Sequence, residues 1–168
     1  MQVLMQVAHN VRRLVYRPAL AVQVLVATDR GDVVLVRNTY GDHQLHLPGG
    51  ALRRGETVRA AGSRELREET GLQVDRLLVT ALLLRKLPVF GYQHVALLSS
   101  PQTVEDPTSS RRRTSSLEVS EVAVVPADKL PSDVSATTAR IVSAWASGNM
   151  ADLEHWSDKG RKLLDLRR

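Results

Sequence analysis

The apolar positions change their spacing several times along the chain, and each change marks an element. Near the N-terminus, Val3, Leu4, Val7, Val11, Leu14 and Val15 recur at helical intervals opposite Gln2, His9, Arg12 and Arg13. This predicts an amphipathic helix over residues 1–18, ending near Arg17-Pro18 because a proline restricts the residue before it. Such a stripe is expected to dock on its own domain or on a second copy, giving a homodimer; a helix lying on a membrane surface is the alternative. Next, two β-branched runs in "ALAVQVLVATDRGDVVLVRN" flank Asp29-Arg30-Gly31-Asp32, a tight-turn signal, and predict a hairpin. "HLPGG" predicts a short extended piece that turns at its glycines. "ETVRAAGSRELREETGL" predicts a helix capped by Thr57 and ended by Gly71.

The strings "VDRLLVTALLLRKLPVF", "YQHVALLSS" and "LEVSEVAVVP" predict three further strands. "SATTARIVSAWASG" predicts a helix stopped by Gly148, followed by a shorter helical tail. Between them, residues 101–116 are rich in Pro, Ser, Thr and Arg and predict a mobile loop within the domain. Strands mixed with a few helices, without internal repeats, predict one α/β (α+β) domain over residues 19–168 with C-terminal helices.

Composition narrows this picture. A chain of 168 residues is one domain long, and 43% apolar residues suffice for a core, which 4% aromatics leaves mainly to Leu, Val and Ala. The absence of cysteine excludes a disulfide scaffold, a thiolate metal site and a Cys nucleophile. A net charge of +5 favours anionic partners such as nucleotides or RNA, although it also serves solubility. No stretch is long and apolar enough to span a membrane, and the N-terminus lacks the unbroken apolar run of a signal peptide, so a cytoplasmic location is expected.

The candidate chemistry lies in "RELREETGL", residues 64–72. Alternating Arg and Glu by itself ordinarily marks a solvated helix surface. At 100° per residue, however, Glu65 and Glu69 fall within about 20° of Val58, and Glu68 about 80° away, on the face that carries Ala61 and Gly62. Arg64 and Arg67 project to the other side. Like charges at these spacings destabilise a helix by a few tenths of a kcal/mol per pair, and burying them demands a cation. An all-oxygen donor set suits Mg²⁺, with Mn²⁺ as the alternative, rather than zinc.

Upstream, Gly50 is followed after five residues by Glu56 and, after seven more, by Arg64-Glu65-Leu66-Arg67-Glu68-Glu69-Thr70-Gly71-Leu72. All nine specified positions of this pattern match the signature of the Nudix hydrolases, which residues 50–72 therefore resemble. "VLVRNTY", "LHLPGG" and "EVSEVAVVPADKLP" extend the similarity over residues 19–131. The resemblance implies an α/β/α sandwich around a mixed β-sheet, and a Mg²⁺-dependent hydrolase that cleaves a diphosphate linkage in a nucleoside diphosphate derivative or nucleoside triphosphate. It implies that Glu65, Glu68 and Glu69, with the Gly50 carbonyl, bind the metal, and that one of these glutamates or one outside the box is the base. Glu56 and Arg64 would hold the loop against the helix, Gly71 would end the helix, and Leu66 and Leu72 would enter the core. Glu118, favoured over Glu121, would supply an additional carboxylate. Arg37, Tyr40, His46 and His94 are further candidates, for substrate contacts. Two positions depart from the family pattern: Leu45 replaces an aromatic, and Arg53 replaces a glutamate that adds to a metal site in some relatives. Two other functions remain open at this point: hydrolysis of a 5′-triphosphate on RNA, which Arg111–Arg113 would assist, and a non-catalytic nucleotide-sensing module.

Overall fold

A computed structural model describes residues 20–87, 91–108 and 117–153 of the chain. The N-terminal helix expected over residues 1–18, Arg111–Arg113 and the C-terminal helical tail lie outside the described residues. Seven strands form two sheets. They are β1 (Leu20–Leu25), β2 (Asp32–Asn38), β3 (Leu45–His46), β4 (Gly49–Ala51), β5 (Leu78–Leu87), β6 (Gly91–Ser99) and β7 (Val119–Pro126). One sheet runs β4-β1-β6-β5, mixed because β1 and β6 are parallel; the other runs β3-β2-β7 and is antiparallel. The two described α-helices are α1 (Val58–Thr70) and α2 (Ala136–Ala146), and a 3₁₀ turn covers Met150–Leu153.

The hairpin expected at Asp29–Asp32 is half right. The turn forms, with Gly31 at φ 82° and the Thr28 N–H donating to the Asp32 carbonyl at 2.8 Å. Beyond the Ala27–Val33 bridge the strands part into different sheets. A strand has two edges, and both are taken in each case: β4 and β6 flank β1, whereas β3 and β7 flank β2. The 101–116 loop also differs from expectation in its first half. Val104 is buried, bridges Thr28 and donates its N–H to Ala27 O, so this part is pinned to the core.

Burial on both faces of β1 and β2 divides the core in two. Ala21, Leu25, Val33, Leu35, Val95 and Leu97 pack with Ile141 and Val142 of α2. Val22, Val24, Val34, Ala96 and Leu98 pack on the other side with Ala61 and Leu66 of α1. Helix α1 begins where the Thr57 hydroxyl accepts from Ala60 N–H, and ends at Gly71, at φ 73°, as the two sequence signals predict. Helix α2 starts at the Ser135 N-cap. Gly62 sits where a Cβ would lie 3.1 Å from Leu77 Cδ1 and 3.2 Å from Leu98 Cδ1. A glycine costs a helix interior about 1 kcal/mol relative to Ala, and the close approach of the sheet accounts for it here. Gly62→Val is expected to lower unfolding free energy by about 1–3 kcal/mol, measured by urea titration, through overpacking against Leu77 and Leu98.

Candidate active site

Helix α1 presents its glutamates to the strand that precedes it. Glu69, near the C-terminal end of the helix, is 6% exposed and accepts the Gly49 N–H at 2.8 Å. Glu65 lies against Gly50, where any Cβ would collide with its carboxylate. At Gly49 a Cβ would strike the Val22 carbonyl across the β1–β4 pair. The paired glycines therefore let the strand carry backbone, with no side chain, right up to two carboxylates.

Arg64 joins these parts. Its Nε donates to Glu56 Oε1 at 2.8 Å and its Nη2 to Glu56 Oε2 at 3.0 Å and to the Ala51 carbonyl at 3.2 Å. Its Nη1 reaches Glu65 Oε1 at 2.6 Å and Glu68 Oε2 at 3.4 Å. The helical wheel set Arg64 apart from the glutamates; the structure corrects this. The wheel gives the direction of Cβ, but the guanidinium lies several bonds farther out and folds back over Glu65 and Glu68, leaving the side chain 10% exposed. Arg67 is exposed, as expected. Glu56 also accepts the Arg53 N–H, and Arg53 Nη2 pairs with Glu68 at 3.3 Å.

The electrostatics diverge sharply between the brace and the cluster. The Arg64 hydrogen bonds hold the Glu56 carboxyl down at about 2. Burial pushes the Glu69 carboxyl up to about 8, and the charges of Glu65, Glu118 and Glu68 add to the rise while the Gly49 N–H opposes it. Burial also raises Glu65, against the pull of Arg64. Glu118 thus belongs to the same field, although it is far away in sequence. Tyr40 Oη donates to Glu118 Oε2 at 2.9 Å, and the Thr39 N–H donates to the Glu118 carbonyl at 2.8 Å.

The other sequence candidates lie on β2, β3, β6 and the loop that joins β2 to β3. Arg37 donates to Glu121 at 2.7 Å, to Asp133 at 2.8 Å and to the His43 carbonyl, so its guanidinium ties three segments together. Tyr40 likewise turns its hydroxyl to Glu118. His46 contacts Asp42 at 3.0 Å on β3. His94 is exposed on β6, in register with Leu20 and Leu84. Sequence reasoning missed Gly49 as a donor to Glu69 and Asp133 as a partner of Arg37. The double glycine hints at the first; nothing local announces a contact 96 positions away.

The NUDIX domain model matches residues 17–145. The chain belongs to the Nudix hydrolase family. A search of curated proteins by sequence found no match. Among solved structures, the chain is similar to a MutT Nudix hydrolase from Burkholderia pseudomallei (TM-score 0.63, 17% identity, 76% of this chain and 98% of that one). It is also similar to a Nudix hydrolase from Nitrosomonas europaea (TM-score 0.64, 21% identity, 79% and 91%). A third neighbour is the Nudix domain of Shewanella oneidensis NrtR, solved with ADP ribose (TM-score 0.64, 17% identity, 82% and 96%). At these identities the likeness concerns the fold, and the Nudix box supplies the link to the site.

The raised Glu69 carboxyl has a consequence for stability. The folded state holds this proton more tightly than the unfolded chain, whose ordinary value is 4.5. The stability it contributes is therefore complete below about pH 4.5 and lost as pH rises through about 8. In chelator, the melting temperature is expected to fall between pH 5 and about 8.5, and Glu69→Gln to flatten that slope, read by thermal scans at each pH.

Proposed function

We propose that this Nudix hydrolase is Mg²⁺-dependent, with Mn²⁺ as the alternative ion, and cleaves the diphosphate linkage of a nucleoside diphosphate derivative or a nucleoside triphosphate. The observation that carries this reading is that α1 sets Glu65 and Glu69 against the side-chain-free backbone of Gly50 and Gly49, with Glu68 on the same helix and Glu118 in the field of the buried Glu69. Oxygen donors alone, one of them a carboxyl that burial and acidic neighbours push up, fit a hard divalent cation. As arranged, Glu65 and Glu68 turn to Arg64, and among the described residues no three acidic or histidine side chains stand where one ion would touch them all. Loading the site therefore asks Glu65 and Glu68 to exchange an Arg64 contact for the ion, while Glu56 keeps its two bonds to the same guanidinium.

Glu65, Glu68 and Glu69, with the Gly50 carbonyl, would hold the ion. Bound there, it would neutralise phosphate charge and make a water acidic enough to attack. The protein's own groups do the rest. Arg64 and Glu56 fix the loop of residues 51–56 against α1. Glu118, oriented by Tyr40, stands outside the Arg64 brace as a carboxylate able to accept the proton of the attacking water. Arg53, exposed beside Glu68, and the net charge of +5 draw in a polyanionic substrate. The Shewanella neighbour was solved with ADP ribose, which is a nucleoside diphosphate derivative of this kind. No observation among the described residues favours RNA 5′ ends or a purely sensing role, and among them no helix is long and apolar enough to cross a membrane.

Two outcomes check the reading. Glu68→Gln and Glu69→Gln are each expected to lower turnover by about 10²–10⁴-fold on whichever substrate is found active. The panel would hold nucleoside di- and triphosphates, nucleotide sugars, dinucleoside polyphosphates, ADP-ribose, coenzyme A and triphosphorylated RNA; unchanged turnover in both variants refutes the assignment. Adding Mg²⁺ should also remove the fall in melting temperature between pH 5 and about 8.5, because a bound cation favours the ionised carboxylate.

A further inference from the structure

The sheet that carries Gly49 and Gly50 ends on its far side in β5. Leu82 and Leu84 of this strand stand in register with Ala96 and His94, and these with Val22 and Leu20 of β1. Residues paired directly across strands point to one face, so the row shares the face on which α1 packs. Helix α1 lies over β4, β1 and β6, and there Val22, Ala96 and Leu98 are buried. Over β5 the cover stops. Leu82 is 57% exposed, and Val79, beyond a bulge in the same strand, is 51% exposed.

We propose that this bared strip is the dock of the chain's own N-terminal segment, residues 3–15, laid as an amphipathic helix antiparallel to β1. Three features commit the strip to that occupant. First, the segment enters the sheet at Leu20, which heads the very row that contains His94 and Leu84. Second, the reach is sufficient: β5 lies about 10 Å from β1 at the usual strand spacing, and the four residues 16–19 extend to about 13 Å. Pro18 breaks the helical run at this crossing. Third, the lengths agree. A helical stripe from Val3 to Val15 is about 18 Å long, and the strip from Leu84 to Val79 is about 17 Å. With Val15 over Leu84, such a helix would bring Val11 to Leu82 and Leu4 to Val79, and leave Arg12 and Arg13 in water.

The chain has no cysteine, so a pair can be introduced cleanly. In the full chain, Val11→Cys with Leu82→Cys is expected to form a disulfide within one monomer about tenfold faster than Val11→Cys with Asp128→Cys. Asp128 is an exposed residue beyond β7. Non-reducing electrophoresis and mass spectrometry read the product. Equal rates overturn the proposal, as does linkage only between two chains, which assigns the strip to a second copy. Failure to link, together with sedimentation on anionic lipid vesicles, overturns it in favour of a membrane surface. A second measurement needs no new bond: amide hydrogen exchange over residues 78–87 should quicken several-fold in the Val7→Ser, Val11→Ser double variant, and unchanged exchange also refutes the docking.

Discussion

Everything at the site depends on one guanidinium. Three glutamates on a single helix and a fourth in the preceding loop repel one another, and Arg64 is the group that lets them share a small volume. Its planar fork takes Glu56 with two donors on one side and Glu65, Glu68 and the Ala51 carbonyl with the others. A lysine, a single point charge, offers no such distribution of donors. Because the side chain is largely enclosed, deleting it would leave Glu56 and Glu65 without their cationic partner in a partly desolvated place. The brace thus supports the packing of the loop on α1 as well as the geometry of the site.

The brace neutralises selectively. Glu56 is strongly acidic, whereas Glu69, which Arg64 does not touch, is held toward its protonated form. The fold keeps one carboxyl short of positive charge while satisfying its neighbours. The glycines of β4 sharpen this contrast, because they bring amide and carbonyl groups to the acids without adding bulk. Arg37 performs an analogous task on the other sheet, gathering Glu121, Asp133 and the His43 carbonyl, and so steadies the β2–β7 pair beside which Glu118 emerges.

What could be read from the sequence was what depends on near neighbours. The Thr57 and Gly71 caps, the Asp29–Asp32 turn and the acidic face of α1 all follow from residues within one or two turns of each other, and all are present. Partner choice between strands was not legible. The β1 and β2 runs look like one hairpin because their turn is correct, yet each is apolar on both faces and needs a neighbour on each edge; β4, β6, β3 and β7 provide them from elsewhere in the chain. The partners of Arg37 and Tyr40 were not legible for the same reason. Their partners, Asp133 and Glu118, lie 96 and 78 positions away, and no local spacing encodes those distances.

Those same separations order the birth of the site. Gly49, Glu56, Arg64 and the three helical glutamates lie within 21 consecutive residues, Gly49 to Glu69. Glu118 joins only when β7 pairs with β2, after most of the chain has been made. A nascent chain therefore carries every residue of the acidic helix and its brace before Glu118 is made. Until β7 is made, β2 lacks the strand that covers one of its edges, so the strand that brings in Glu118 also closes that edge.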